Sequence, residues 1–165
     1  MSTSFGPYQL IQPIGAGGMA ETFLAVRRGP GGFEQQVCLK RILPAYEEDP
    51  EFLRQFMDEA RLAAQLRHAN IVQVTDFGLV PPRSHYLALE LVDGIDLRHL
   101  LKALKAKGEQ LPLDVCNYIA AHVAAALEFA HNSDRTRSAV VHRDVSPSNI
   151  LLSRAGEVYL TDFGI

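Results

Sequence analysis

The string His142-Arg143-Asp144-Val145-Ser146-Pro147-Ser148-Asn149, with Thr161-Asp162-Phe163-Gly164 downstream, decides how this chain is read. It follows Val140-Val141 and precedes residues 150–152, apolar runs that read as short buried strands. Polar side chains on an irregular loop between such strands need a reason. Asp144 as general base for a hydroxyl and Asn149 as a neutral metal ligand would supply it. A polar turn closed by an Asx-type hydrogen bond fits the same letters. A hairpin turning on Ala155-Gly156 sets Asn149 opposite Asp162, about 4.5–5.5 Å apart. An amide oxygen and a carboxylate so placed can share a hard cation such as Mg²⁺. A longer turn would shift that register by one residue.

Working outward, residues 158–160 pair as the hairpin's second strand, and residues 132–138 form a polar loop. Residues 113–131 read as a helix with Ile119, Val123, Ala126, Leu127 and Ala130 on one face. Asp96 can cap a shorter helix carrying Leu97, Leu100, Leu101 and Leu104, which stops near Gly108. The first half is richer in strands: residues 8–14, 22–26, 37–42, 71–74 and 85–91. Asp49-Pro50 marks the start of its one helix. Two lobes joined near residues 90–94, with a ligand cleft between them, is the organisation expected.

Two further constellations lie in that first half. Gly15-Ala16-Gly17-Gly18-Met19-Ala20 falls between two strands, where glycines let backbone N–H groups approach phosphate oxygens. It equally suits a plain hairpin, and no helix follows it as a dinucleotide site requires. On the strand at 37–42, Cys38, Lys40 and Ile42 share a face. On the next helix Phe52, Phe56, Glu59, Ala63 and Leu66 form a stripe in which Glu59 is the sole charge. A carboxylate on an apolar face needs a cation, and Lys40 is the candidate. Asp58 points to water. The alternative is a partly exposed Glu59 and a surface Lys40. Thr75-Asp76-Phe77-Gly78 repeats the letters of 161–164 without an upstream Asn partner, and is expected to be a turn between strands.

Composition sets the outer bounds. The 165 residues are 47% hydrophobic, enough for a core, and net charge is −3, so neither a basic nucleic-acid surface nor an acidic tail is expected. The run at 119–130 is interrupted by His122 and Glu128 and reads as too short to span a bilayer, and the N-terminus lacks a signal-peptide pattern. Cys38 and Cys116 stand in no metal spacing, which fits a reducing cytoplasm.

Together these residues resemble the eukaryotic-type protein kinase family in its bacterial serine/threonine form, from about Tyr8 to Ile165, with four signatures in the family's order. The resemblance implies an α+β, two-lobed kinase fold. Residues 1–92 would be an N-lobe of antiparallel sheet and one helix, and residues 93–165 an incomplete helical C-lobe. It implies ATP-dependent transfer to protein Ser or Thr hydroxyls, with ATP and Mg²⁺ as cofactors and no nucleic acid. Gly15, Gly17 and Gly18 would cover the phosphates. Lys40, paired with Glu59, would hold the α- and β-phosphates. Asp144 would accept the hydroxyl proton, and Asn149 and Asp162 would bind Mg²⁺. Ile14, Cys38 and Leu151 would sandwich adenine. Glu90 to Val92 would meet it through the backbone, with Leu89 as gatekeeper and Asp96 near the ribose. His142 and Phe163 would be packing supports, and Arg143 would receive a phosphorylated loop.

Some positions depart from the family pattern. Ala20 stands for the third loop glycine, Thr22 and Cys38 for the usual valine and alanine, and Ser146 for a lysine that meets the γ-phosphate. No residues follow for the activation loop or the A-P-E signature. A truncated domain is therefore expected, with little activity of its own and exposed apolar surface. The rivals are a non-catalytic nucleotide-binding or interaction fragment and a small-molecule phosphotransferase.

Overall fold

The computed structural model describes residues 3–132 and 140–163; residues 133–138 of the loop expected at 132–138, and Gly164, lie outside them. The chain forms two compact units, Met1–Ala64 with Val74–Leu91, and Gln65–Gln73 with Val92–Ile165.

The first unit is an antiparallel sheet of β1 (Thr3–Phe5), β2 (Tyr8–Ala16), β3 (Ala20–Arg28), β4 (Glu34–Ile42), β5 (Val74–Val80) and β6 (Ser84–Glu90), with one helix, α1 (Pro50–Ala63). Strand order is β1-β2-β3-β4-β6-β5. Alternation along β4 sorts its side chains. Val37 and Leu39 enter a core with Phe5, Tyr8, Leu10, Ala25, Tyr86 and Ala88, so Cys38, Lys40 and Ile42 take the opposite face. The Asp49 carboxylate accepts from the N–H groups of Glu51 (3.0 Å) and Phe52 (3.1 Å), and Pro50 opens the helix. Phe56, Ala60 and Ala63 are buried, Glu59 is half-buried, and Asp58 faces solvent, paired with Arg61 at 2.9 Å.

Three local expectations are corrected. Thr75-Asp76-Phe77-Gly78 is no turn; it runs through β5. A strand can hold Asp76 because the Tyr8 and Tyr86 hydroxyls donate to its Oδ2 at 2.8 and 3.1 Å. Residues 71–74 do not form a strand; Ile71 makes a single parallel bridge to Leu160, and β5 begins at Val74. Val140-Val141 is irregular, since Val140 N–H closes onto the Ala130 carbonyl rather than a strand.

The second unit contains β7 (Gly94–Asp96), β8 (Ile150–Ser153) and β9 (Val158–Leu160), with helices α2 (Leu97–Ala106) and α3 (Leu113–His131). The sheet order is β7-β8-β9. β7 is absent from the sequence pattern and depends on one glycine: a Cβ on Gly94 would lie 1.9 Å from the Leu152 carbonyl oxygen. Residues 65–73 join this unit through Asn70, whose Nδ2 donates to the Val158 carbonyl at 2.8 Å, and through His68 packed on Phe129. α3 buries Ile119, Val123, Ala126 and Ala130 and packs on β9. At 19 residues it is longer than the apolar run read from sequence and meets the length and composition of a bilayer-crossing helix, criteria that a core helix also meets.

Candidate active site

In the first unit, strand register gathers the expected nucleotide residues onto one sheet face. Gly15 opposes Thr22, Thr22 opposes Lys40, and Lys40 opposes Leu87. Cys38 opposes Leu24 and Leu89 in a parallel row two residues along. Residues opposed in an antiparallel ladder point the same way, so Gly15, Cys38, Lys40 and Leu89 share a face. Ile14 falls in an irregularity between Pro13 and Gly15 and is half-exposed. Glu90 opposes Val37, which puts its side chain on the other face and leaves its backbone as the usable group.

The glycine stretch is a tight connection between β2 and β3, closed by the Gly17 N–H donating to the Ala20 carbonyl at 2.9 Å. None of Gly15, Gly17 and Gly18 has a positive φ, so backbone strain does not require them. They supply space instead: a Cβ on Gly18 would meet nothing within 4 Å, which leaves room for a phosphate. Ala20 at the third position is tolerated for the same conformational reason. Lys40 projects from β4, and Glu59, which accepts from Gln55 Nε2 at 3.2 Å, from α1.

In the second unit the loop 142–149 is built around a buried imidazole. His142 is 1% exposed; with its proton on Nε2 it donates to the Thr161 carbonyl at 2.8 Å, and Nδ1 accepts from the Asp144 N–H at 3.3 Å. Its ring packs on Phe163 at 4.6 Å. The histidine therefore anchors the start of the loop to the 161–163 segment. Asn149 Nδ2 donates to the Asp144 carbonyl (2.9 Å) and to Asp144 Oδ2 (3.0 Å), which turns its amide oxygen away from Asp144.

The hairpin register is one residue off the expected one. Leu151 opposes Tyr159 and Leu152 opposes Val158, so the Thr161 N–H, not Asp162, meets the Asn149 carbonyl, at 2.9 Å. The cause is the turn, which spans Arg154-Ala155-Gly156 with Gly156 at φ 86°. Asp162 follows directly, in the left-handed region at φ 63°, and Arg143 is likewise at φ 65°. Such backbone costs a non-glycine residue about 1–2 kcal/mol, and here it falls on Asp162 itself and on the residue before Asp144. Thr161 went unnoticed in the sequence because it acts through its backbone, holding His142 and Asn149 at once.

Asp96 opposes Leu151 across β7 and β8, so these two also share a face. Both Asp96 oxygens are engaged at the start of α2, Oδ1 by the His99 N–H (2.8 Å) and Oδ2 by His99 Nδ1 (2.5 Å). Val92 is the first residue of this unit's second segment. Among the described residues no group of three His, Cys, Asp or Glu side chains forms a metal cage. One amide and one carboxylate oxygen, from Asn149 and Asp162, suit Mg²⁺, which keeps most of its coordination for water and phosphate.

The protein-family profile described as Protein kinase domain matches residues 8–165, and the chain belongs to that family. It is 42% identical over 164 residues to the tyrosine-protein kinase MasK of Myxococcus xanthus, covering 98% of this chain and 25% of that protein. It is 35% identical over 160 residues to the serine/threonine-protein kinase PrkC of Bacillus subtilis, covering 97% and 23%. With the serine/threonine-protein kinase PknA of Mycobacterium tuberculosis the identity is 36% over 167 residues, covering 99% and 36%. The chain thus spans about a quarter to a third of these relatives. The crystal structure of the Mycobacterium tuberculosis PknI kinase domain superposes with a TM-score of 0.80 at 33% identity, covering 99% of this chain and 62% of that one. The fold is that of a protein kinase: an antiparallel-sheet lobe with one helix, and a partial helical lobe.

Proposed function

We propose that this chain carries the nucleotide- and metal-binding residues of a kinase that transfers the ATP γ-phosphoryl group to Ser or Thr hydroxyls of a protein. The loop at 142–149 carries the reading, above all the clamp of Asn149 on Asp144 within 3.0 Å. Asp144 lies at the solvent-exposed surface of this loop, where a plain polar turn has no need for a second side chain that holds its carboxylate and backbone carbonyl together. Residues 1–92 then form the first lobe and 93–165 part of the second; the compact units agree in changing after Leu91 and differ in siding residues 65–73 with the second unit.

In this reading the backbone at Gly15, Gly17 and Gly18 receives phosphates. Lys40 neutralises the α- and β-phosphates and is oriented by Glu59. Ile14, Cys38, Leu89 and Leu151 bound the adenine site, the backbone of Glu90 and Val92 hydrogen-bonds its edge, and Asp96 lies toward the ribose. Asn149 and Asp162 would hold Mg²⁺. When bound, Mg·ATP supplies the electrophilic phosphorus and the divalent charge that offsets developing negative charge. Asp144 positions the acceptor hydroxyl and takes its proton. Pro147 and the names of PrkC and PknA favour Ser or Thr as acceptor; the name of MasK makes Tyr the acceptor to test against them. A cytoplasmic setting, where ATP and free thiols coexist, agrees with the two free cysteines.

The test is phosphate transfer from radiolabelled Mg·ATP by the full-length protein to peptides offering Ser, Thr or Tyr as sole acceptor. Ser or Thr labelling that falls about 10²-fold or more in Lys40→Ala and Asp144→Asn is expected. Labelling of Tyr alone overturns the acceptor assignment. Mg·ATP binding without transfer to any peptide points to a nucleotide-binding interaction module. Labelling confined to small hydroxylated molecules points to a small-molecule phosphotransferase.

A further inference from the structure

Two polar or charged residues are buried among those described, His142 and Glu47. His142 serves the loop discussed above; Glu47 has no part in it. Its carboxylate is closed on both oxygens by one residue: Oε1 accepts the His85 backbone N–H and Oε2 faces His85 Nδ1, each at 2.6 Å. The Glu47 side chain is 5% exposed and that of His85 18%. A carboxylate so withdrawn from water needs hydrogen bonds to offset its lost hydration, and both of these come from His85.

What it holds is the lead into α1. Glu47 ends a short 3-10 turn, Pro44–Tyr46, and Asp49, the helix cap, follows two residues later. Tyr46 packs on Phe52 in the first turn of the helix, with ring centroids 4.9 Å apart. The same segment is tied to the glycine stretch by the Leu43 N–H donating to the Met19 carbonyl at 3.0 Å. On the sheet side, His85 precedes Leu87 by two residues on β6, and Leu87 is the cross-strand partner of Lys40. One buried clasp therefore connects the entry of the helix bearing Glu59 to the strand beside Lys40.

We propose that Glu47 and His85 are positioning residues that set α1, and with it Glu59, relative to Lys40. This rests on the reading of Lys40 and Glu59 given above. The clasp is a hydrogen-bonded one, so Glu47→Gln preserves it: the Gln oxygen accepts the His85 N–H, and its amide donates to Nδ1 of the other imidazole tautomer. Glu47→Ala removes both bonds.

Two measurements on the full-length protein separate this proposal from the function itself. Amide hydrogen exchange of α1, which needs no activity, is expected to quicken about tenfold in Glu47→Ala with α3 unchanged, and to stay at the wild-type rate in Glu47→Gln. Affinity for a fluorescent N-methylanthraniloyl ATP with Mg²⁺, and KM for ATP, are expected to worsen in Glu47→Ala and recover in Glu47→Gln. Wild-type exchange in α1 of Glu47→Ala overturns the clasp. Altered exchange with unchanged nucleotide affinity and KM overturns its link to Lys40. Absence of Lys40-dependent nucleotide binding in the wild type refutes the functional reading and leaves the exchange result standing. If Glu47→Ala does not fold, His85→Ala, which keeps the backbone bond, takes its place with the same outcomes.

Discussion

Asp162 combines a left-handed backbone, φ 63°, with the carboxylate proposed to hold Mg²⁺. Aspartate and asparagine tolerate that conformation and β-branched residues do not. Asp162→Asn is thus expected to keep the backbone conformation while losing the stabilisation that Mg·ATP confers on the wild type. Asp162→Val is expected to lose about 2 kcal/mol whether or not nucleotide is added. Thermal melts with and without Mg·ATP give both answers; a full nucleotide shift in the Asn variant removes Asp162 from the metal site. Ser146 presents the opposite case. Its hydroxyl caps nothing, and its carbonyl accepts the Asn149 N–H at 2.9 Å whatever the side chain. Ser146→Lys therefore leaves the loop intact and adds a cation, so kcat is expected to hold or rise; a large fall would show that the serine itself is needed.

At the scale of elements, β7 depends on Gly94. An added methyl would sit 1.9 Å from the Leu152 carbonyl oxygen and 2.7 Å from its carbon, both rigid backbone. Gly94→Ala is expected to push β7 off β8 and cost roughly 2–4 kcal/mol, read as a lowered melting temperature; an unchanged melt would contradict the close approach. Elements with a local signature were legible beforehand. α1 announces itself through Asp49-Pro50, α2 through Asp96, and β4 through its alternation. The same letters failed at residues 75–78, because a carboxylate inside a strand is legible only once Tyr8, some 68 positions away, is known to satisfy it. The β8–β9 register failed by one residue because turn length, not side-chain pattern, sets it.

At the scale of the whole molecule, stability at high pH should report the Tyr8–Asp76–Tyr86 cluster of the first unit. Burial, and then the neighbouring Asp76 carboxylate, raise the pKa of both tyrosines; Tyr86 is pushed up to about 12 from an ordinary 10 and Tyr8 also upward. The folded form keeps these protons after the unfolded chain has begun to lose them. The stabilisation is therefore complete below pH 10 and is lost as pH rises toward 12. Urea midpoints at pH 8 and 11 are expected to fall more in the wild type than in the Tyr8→Phe/Tyr86→Phe variant; equal falls would dissociate the cluster from alkaline unfolding.

The linear order of residues was enough to make the chain resemble a protein kinase, since the strings at 142–149 and 161–164 are contiguous and stand in that family's order, and the family profile over residues 8–165 bears the resemblance out. It also settled where the capped helices begin, because caps act within a turn. Tertiary structure alone decided the rest: that Asp76 belongs to a strand, that Thr161 rather than Asp162 meets Asn149, that residues 65–73 side with the second unit, and that Glu47 is buried against His85. Each of these depends on a partner distant in sequence or on a backbone group, and neither leaves a mark on the local pattern of side chains.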